Sequence, residues 1–133
     1  MDRARLEQIP CVRDFLALDN DLDRFDYLAD LALLAPGLEA AECTEEARIP
    51  GCDSGLYYRL TRVREQICLI VQSGSLFVKG LGAMLAAVMD DCPFCDPCGL
   101  ADLLFDRGLI PPERRRGLAE LEARVSALIK SKQ

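Results

Sequence analysis

The chain contains no histidine, and this absence excludes several kinds of catalytic and metal site. Without an imidazole there is no Cys–His nucleophilic pair, no Ser–His–Asp triad and no zinc site with a histidine ligand. The sequence also lacks a glycine-rich phosphate-binding loop, which disfavours nucleotide-dependent hydrolases and oxidoreductases. A reactive cysteine in this chain must therefore be activated by an arginine, a lysine, backbone dipoles or a partner protein.

Long apolar runs are also missing, and the first residues, Met1–Glu7, lack the apolar segment of a signal peptide. We therefore expect a soluble cytoplasmic protein that does not enter a membrane. The net charge of −6 disfavours non-specific binding to nucleic acid or to an anionic membrane surface. The length of 133 residues predicts a single domain, 1–133, that can bury a core without disulfides.

Seven cysteines are many for a chain of this length, and their number is odd. In a secreted domain they would indicate disulfides with one thiol left over. In a cytoplasmic protein, reduced thiols that bind metal or carry out redox chemistry are the better interpretation.

The segment Arg48–Ser54 is predicted to be a tight loop that carries a functional cysteine. Pro50 fixes its own φ, and Gly51 can adopt dihedral angles closed to other residues, so a turn is favoured just before Cys52. Residues 55–63 have the aromatic and β-branched side chains typical of a strand. We therefore expect the thiol at the tip of a loop, where another molecule can reach it. The alternative is a buried cysteine that only fills space.

The hydrophobic pattern predicts helices before and after a two-stranded hairpin. Helical signals cover about residues 4–18, 21–34, 75–88, 100–107 and 111–130, and strand signals cover 55–63 and 66–72. Thr61–Glu65 is the expected hairpin turn, although it lacks an Asn-Gly pair. Because the second strand is apolar on both faces, we expect helices to cover the sheet rather than leave one face in water.

A second cysteine pattern, Cys92, Cys95 and Cys98, has the spacing of zinc and iron–sulfur ligands. A fourth ligand would come from Cys43, Cys68 or an aspartate, and the sequence does not say which is near. Alternatively, Cys92 and Cys95 form a redox dithiol or relay sulfur, or the three thiols have no task.

Several short motifs follow one another in a characteristic order along the chain. They are Asp23–Leu28, Pro50–Ser54, Val78–Leu81, Gly108–Leu109, Pro112–Arg114 and Gly117–Leu118. In this order and spacing they resemble the SufE family of sulfur-acceptor proteins, including its CsdE branch, over about residues 14–130.

The resemblance implies an α+β fold in which a small antiparallel β-sheet packs against helices. It also implies a function: accepting sulfane sulfur from a cysteine desulfurase during iron–sulfur cluster assembly, and stimulating that enzyme. Cys52 matches the acceptor that carries the persulfide, and Arg114 matches an arginine near it that would favour the thiolate. Since the desulfurase holds the pyridoxal phosphate, this chain is expected to have no cofactor. An iron–sulfur scaffold complex is a candidate sulfur recipient.

The chain departs from the family pattern beside the proposed acceptor. Gly55 and Tyr57 stand where the family usually has glutamine and tryptophan, and Arg116 replaces an asparagine. The family pattern also has no cysteines at the positions of Cys92, Cys95 and Cys98. Two rival functions therefore remain: a metal- or iron–sulfur-binding adaptor that uses these three cysteines, and an interaction module that transfers no sulfur.

Overall fold

The computed structural model describes residues 1–93 and 95–131 and confirms the α+β class. This described part contains six α-helices and one two-stranded sheet. The elements are α1 (Arg3–Gln8), α2 (Pro10–Leu16), α3 (Asp21–Leu34), β1 (Leu56–Val63), β2 (Gln66–Ser73), α4 (Leu76–Asp91), α5 (Leu100–Asp106) and α6 (Pro112–Lys130). Single 3₁₀ turns at Ala40–Glu42 and Glu45–Ala47 lie in the segment that leads to Cys52.

Side-chain caps and prolines set the helix starts that the sequence predicts. The side chain of Asn20 accepts the N–H of Asp23 at 2.8 Å before α3, and Ser75 Oγ accepts the N–H of Val78 at 3.2 Å before α4. Pro112 opens α6, where the missing N–H costs no helical hydrogen bond. The predicted starts of α3, α4 and α6 are confirmed.

The hairpin is antiparallel as predicted, but its turn is shorter than the predicted Thr61–Glu65. Val63 pairs with Gln66, so the strands are joined by Arg64 and Glu65 alone. Arg64 has φ 59°, the left-handed conformation that tight hairpin turns require. An arginine gives little sequence signal for this conformation, which is why the predicted turn was too long.

The core lies between α4 and the elements packed on it, which include α3, β2 and α6. On β2, Ile67, Leu69 and Val71 are buried on the face towards α4. The opposite face is only partly covered, since Cys68 and Ile70 are half-buried. The prediction of a sheet covered on both faces was therefore wrong.

The helices α3 and α4 approach each other closely at Gly80. A Cβ at this position would lie 2.7 Å from the carbonyl carbon of Leu28 and closer still to its oxygen. This contact lets Leu28 and Ala32 of α3 reach full burial, whereas Phe25 on the same helix is 44% exposed. In residues 1–93 and 95–131, no helix is both long and apolar enough to cross a membrane.

Candidate functional site

The backbone of the Cys52 loop is fixed at both ends by hydrogen bonds. The N–H of Ile49 donates to the carbonyl of Leu56 at 2.7 Å, and the N–H of Gly55 donates to the carbonyl of Cys52 at 3.0 Å. Gly51 and Gly55 have φ of 81° and 73°, a region that residues with a Cβ rarely adopt. The predicted tight loop before a strand is confirmed.

The thiol of Cys52 is buried, contrary to the expectation of an accessible thiol. The residue is 6% exposed and faces a small apolar cavity between the start of α6 and α4, lined in part by Val78, Leu81 and Leu118. The cavity volume of about 10 Å³ is at the lower limit for holding one water molecule. The neighbours Gly51 and Asp53 are exposed. The loop thus presents its backbone outward and its sulfur inward.

Arg114, which the sequence linked to Cys52 only through the family resemblance, lies at this cavity. It belongs to the first turn of α6, and its Nη1 donates to Ser54 Oγ at 3.3 Å. Cys52 and Arg114 line the same cavity although the sequence separates them by more than 60 residues. Ser54 is the partner that the sequence analysis missed, and nothing in its local sequence marks a contact with so distant a residue.

The two arginines after Arg114 have different surroundings. Arg115 forms an ion pair with Asp102 at 2.8 Å, and its guanidinium lies 5.2 Å from the ring centroid of Phe105. Arg116 is exposed. Of these three arginines, only Arg114 lines the cavity of Cys52, so it is the one placed to act on a charged sulfur there.

This arrangement leaves a small free volume beside the buried thiol of Cys52. The cavity is lined mostly by apolar side chains, and Arg114 lies at its edge. The free space of about 10 Å³ holds about one small atom. Because Cys52 is only 6% exposed, a partner protein would reach its sulfur only after the loop moves.

We expect the Ser54→Ala variant to expose Cys52 more often than the wild-type chain does. The change removes the hydrogen bond from Arg114 to the loop and leaves the guanidinium in place. One such bond contributes about 1 kcal/mol, so the rate of Cys52 alkylation should rise roughly 5-fold. The rate is measured by peptide mass spectrometry after timed labelling. Ser131→Ala, on an exposed serine at the end of α6, is the control, and equal rates in both variants would contradict this role of Ser54.

The three cysteines predicted as candidate metal ligands do not form one cluster of thiols in the structure. Cys92 and Cys95 form a disulfide, and the Sγ of Cys98 lies 2.8 Å from Ser126 Oγ. Over the described ranges, no three Cys, Asp or Glu side chains are placed to hold a metal ion. A three-thiolate site is not supported by this arrangement, because a disulfide leaves Cys92 and Cys95 without thiolates to donate.

A buried carboxyl group, Glu122 of α6, supports the start of α5. Its two oxygens accept the N–H groups of Ala101 at 2.7 Å and Gly99 at 3.2 Å, and the residue is 4% exposed. Burial raises the pKa of Glu122 to about 7, although the two N–H donors oppose the shift. No local sequence signal marks Glu122 as a functional residue, although its spacing four residues after the buried Leu118 places it on the same face of α6.

Stability is expected to fall as pH rises from about 4.5 to about 7, because Glu122 must lose a proton while buried. Because the pKa of Glu122 is raised in the folded state, folding takes up a proton in this pH window. The free energy of unfolding should therefore fall by about 3 kcal/mol across the whole window. Glu122→Gln keeps the oxygen that accepts from Ala101 and removes the titration. Urea unfolding at pH 5 and pH 8 should therefore show a smaller loss in the variant than in the wild type. Identical losses would contradict the assignment.

Comparisons with known proteins agree with this fold. The family model described as "SufE: Fe-S metabolism associated domain" matches residues 10–129. A solution structure of a hypothetical protein from Thermus thermophilus is similar to this chain with a TM-score of 0.62 and 20% identity, covering 98% of this chain and 97% of that one. At this identity the likeness concerns the fold alone. No curated protein matches. The family model spans nearly the whole chain, and the chain therefore belongs to the SufE family of domains associated with Fe–S metabolism.

Proposed function

We propose that this chain accepts sulfane sulfur from a cysteine desulfurase onto Cys52 and passes it on for iron–sulfur cluster assembly. The observation that carries the proposal is a cysteine on a glycine-flanked loop whose sulfur faces a cavity about one atom in size, beside an arginine. Membership of a family associated with Fe–S metabolism supports this use of the site. A space-filling cysteine would need neither the open volume nor the adjacent guanidinium.

The transfer step is a thiol exchange and consumes no oxidant or reductant. The Cys52 thiolate attacks the outer sulfur of the persulfide on the desulfurase cysteine. A new S–S bond forms at Cys52, the S–S bond of the donor breaks, and the donor cysteine leaves as a thiolate. Arg114 serves as a counter-ion to the attacking thiolate and then to the persulfide anion. The desulfurase supplies the pyridoxal phosphate chemistry, and this chain supplies the acceptor.

Docking of the desulfurase must expose the buried sulfur. The outward swing of residues 50–55 breaks the hydrogen bond between Arg114 and Ser54 and withdraws one small side chain from the core. Breaking this hydrogen bond costs about 1 kcal/mol. A partner that binds the open loop more tightly than the closed loop can therefore shift the population towards the open loop. When the loop closes, the persulfide returns to the cavity and is shielded from other thiols. The proposed compartment is the reducing cytoplasm, where an acceptor thiol stays reduced.

The proposal is tested by adding the chain to a cysteine desulfurase with L-cysteine and measuring alanine formation and protein-bound sulfane sulfur. We expect faster alanine formation and about one sulfur per chain, because Cys52 removes the persulfide that blocks the next turnover. Unchanged alanine formation together with no bound sulfur would reject the proposal. Binding of the desulfurase without sulfur uptake would favour the rival interaction module.

A further inference from the structure

A pair of cysteines, Cys92 and Cys95, lies at the end of α4 and is separate from the Cys52 cavity. Leu81 lines that cavity, and Cys92 follows it by 11 residues on the same helix and its cap. At 1.5 Å per residue, this places Cys92 about 16 Å further along the helix axis. Thiol exchange requires contact between sulfur atoms, so Cys52 cannot pass sulfur directly to this site within one molecule.

The backbone holds Cys92 and Cys95 close enough to form a reversible disulfide. The N–H of Cys95 donates to the carbonyl of Cys92 at 3.1 Å, which closes a turn, and the two Cα atoms lie 5.4 Å apart, within the usual range for a disulfide. Both residues are partly exposed, so a thiol reagent can reach them. The pair therefore has both the geometry and the access that exchange requires.

Cys98 is held away from this exchange. Its N–H donates to the Asp96 carboxylate at 3.0 Å, and its Sγ lies 2.8 Å from Ser126 Oγ, which itself donates to Asp96 at 2.6 Å. Burial raises the pKa of the Cys98 thiol, with Ser126 opposing and Asp96 adding to the rise. Cys98 is thus a poor attacking group for the neighbouring disulfide, and the exchanging pair consists of Cys92 and Cys95.

Negative charge surrounds the Cys92–Cys95 pair. Asp90, Asp91 and Asp96 flank the two cysteines, and the C-terminal end of α4 carries partial negative charge. An ion pair between Arg5 and Asp91, at 3.3 Å, offsets part of this charge. The pair therefore lacks the positive surroundings that stabilise a thiolate in cysteine pairs at helix N-termini.

We propose that Cys92 and Cys95 form a redox site that exchanges with dithiol reductants independently of the sulfur-acceptor cysteine. One thiolate of the dithiol attacks a sulfur of the pair, and the other cysteine leaves as a thiolate and takes a proton from water. The second thiol of the reductant then displaces the mixed disulfide. Both cysteines end as thiols, and the reductant ends as its own disulfide, so two electrons and two protons are transferred.

The test equilibrates the full chain in graded ratios of reduced to oxidised dithiothreitol, followed by acid quenching, alkylation and peptide mass spectrometry. We expect Cys92 and Cys95 to carry either two labels or none, while Cys52 and Cys98 are labelled at every ratio. In the Cys98→Ser variant, the disulfide should be half reduced at the same ratio of reduced to oxidised dithiothreitol as in the wild type, within about 2-fold. Independent labelling of Cys92 and Cys95, a pair that is reduced at every ratio, or loss of the disulfide in Cys98→Ser would overturn the proposal.

A double variant separates this site from the proposed acceptor. Cys92→Ser with Cys95→Ser should load sulfur from a desulfurase as the wild type does, because Cys92 lies about 16 Å along the α4 axis from the cavity residue Leu81. A loss of loading of more than about 10-fold in a variant that still unfolds like the wild type would contradict the independence of the two sites. A wild-type chain that fails to load sulfur but still titrates in dithiothreitol would reject the acceptor proposal alone.

Discussion

Replacement of Cys52 with serine is expected to abolish sulfur loading by a cysteine desulfurase. Serine is close in size to cysteine and fits the same cavity, but its hydroxyl is not a thiolate nucleophile and cannot form a persulfide. The buried hydroxyl has no assigned acceptor, so the free energy of unfolding should fall by only about 1–3 kcal/mol. Bound sulfane sulfur and urea unfolding are measured on the same preparation. The variant should be folded and carry no sulfur.

Cys43→Ser is the matched control for this variant. Cys43 is half-buried in the segment that leads to the loop, and it does not line the Cys52 cavity. This control should load sulfur at the wild-type level. Full loading of Cys52→Ser would show that another thiol accepts the sulfur, and equal losses in both variants would point to a general effect of cysteine removal.

Gly80→Ala is expected to have the largest effect on stability, a loss of about 3 kcal/mol. The new Cβ would lie 2.7 Å from the carbonyl carbon of Leu28. The clash cannot be relieved by a rotamer change, because the atom it meets belongs to the backbone of α3. α3 and α4 must separate, which loosens the packing of Leu28 and of the residues of α4 around it. Urea unfolding measures the change in free energy.

Gly117→Ala is the control, since it makes the same substitution in a helix interior where space exists. Its Cβ would meet only Leu56 Cδ2, at 3.9 Å, an ordinary contact. Alanine is a better helix former than glycine by about 1 kcal/mol, so this variant should be equal to or more stable than the wild type. If both variants lose the same stability, the close crossing at Gly80 does not control helix packing.

Local sequence signals predicted the helices well because their causes are local. The cap at Ser75, the acidic start of α3 after Asn20, and the proline at the start of α6 all act within one turn of the residues that they order. The hairpin turn was misplaced because Arg64 adopts positive φ without the glycine or asparagine that normally reveals it.

The site was predictable only in part. The loop around Cys52 follows from Pro50 and Gly51, but the inward direction of the sulfur depends on α4 and α6, which pack there from later in the chain. The hydrogen bond between Ser54 and Arg114 is likewise a product of tertiary packing. The spacing of Cys92, Cys95 and Cys98 is compatible with a metal site and with a disulfide, and only the folded arrangement distinguishes them.

Peptide mass spectrometry of the wild-type chain after incubation with a cysteine desulfurase and L-cysteine gives the most direct test of the central claim. One sulfur atom adds about 32 Da to the cysteine that carries it, so the acceptor is identified by its peptide. We expect this added mass on Cys52 in most chains and on no other cysteine to a comparable degree. Sulfur on Cys92, Cys95 or Cys98 with Cys52 unmodified would contradict it.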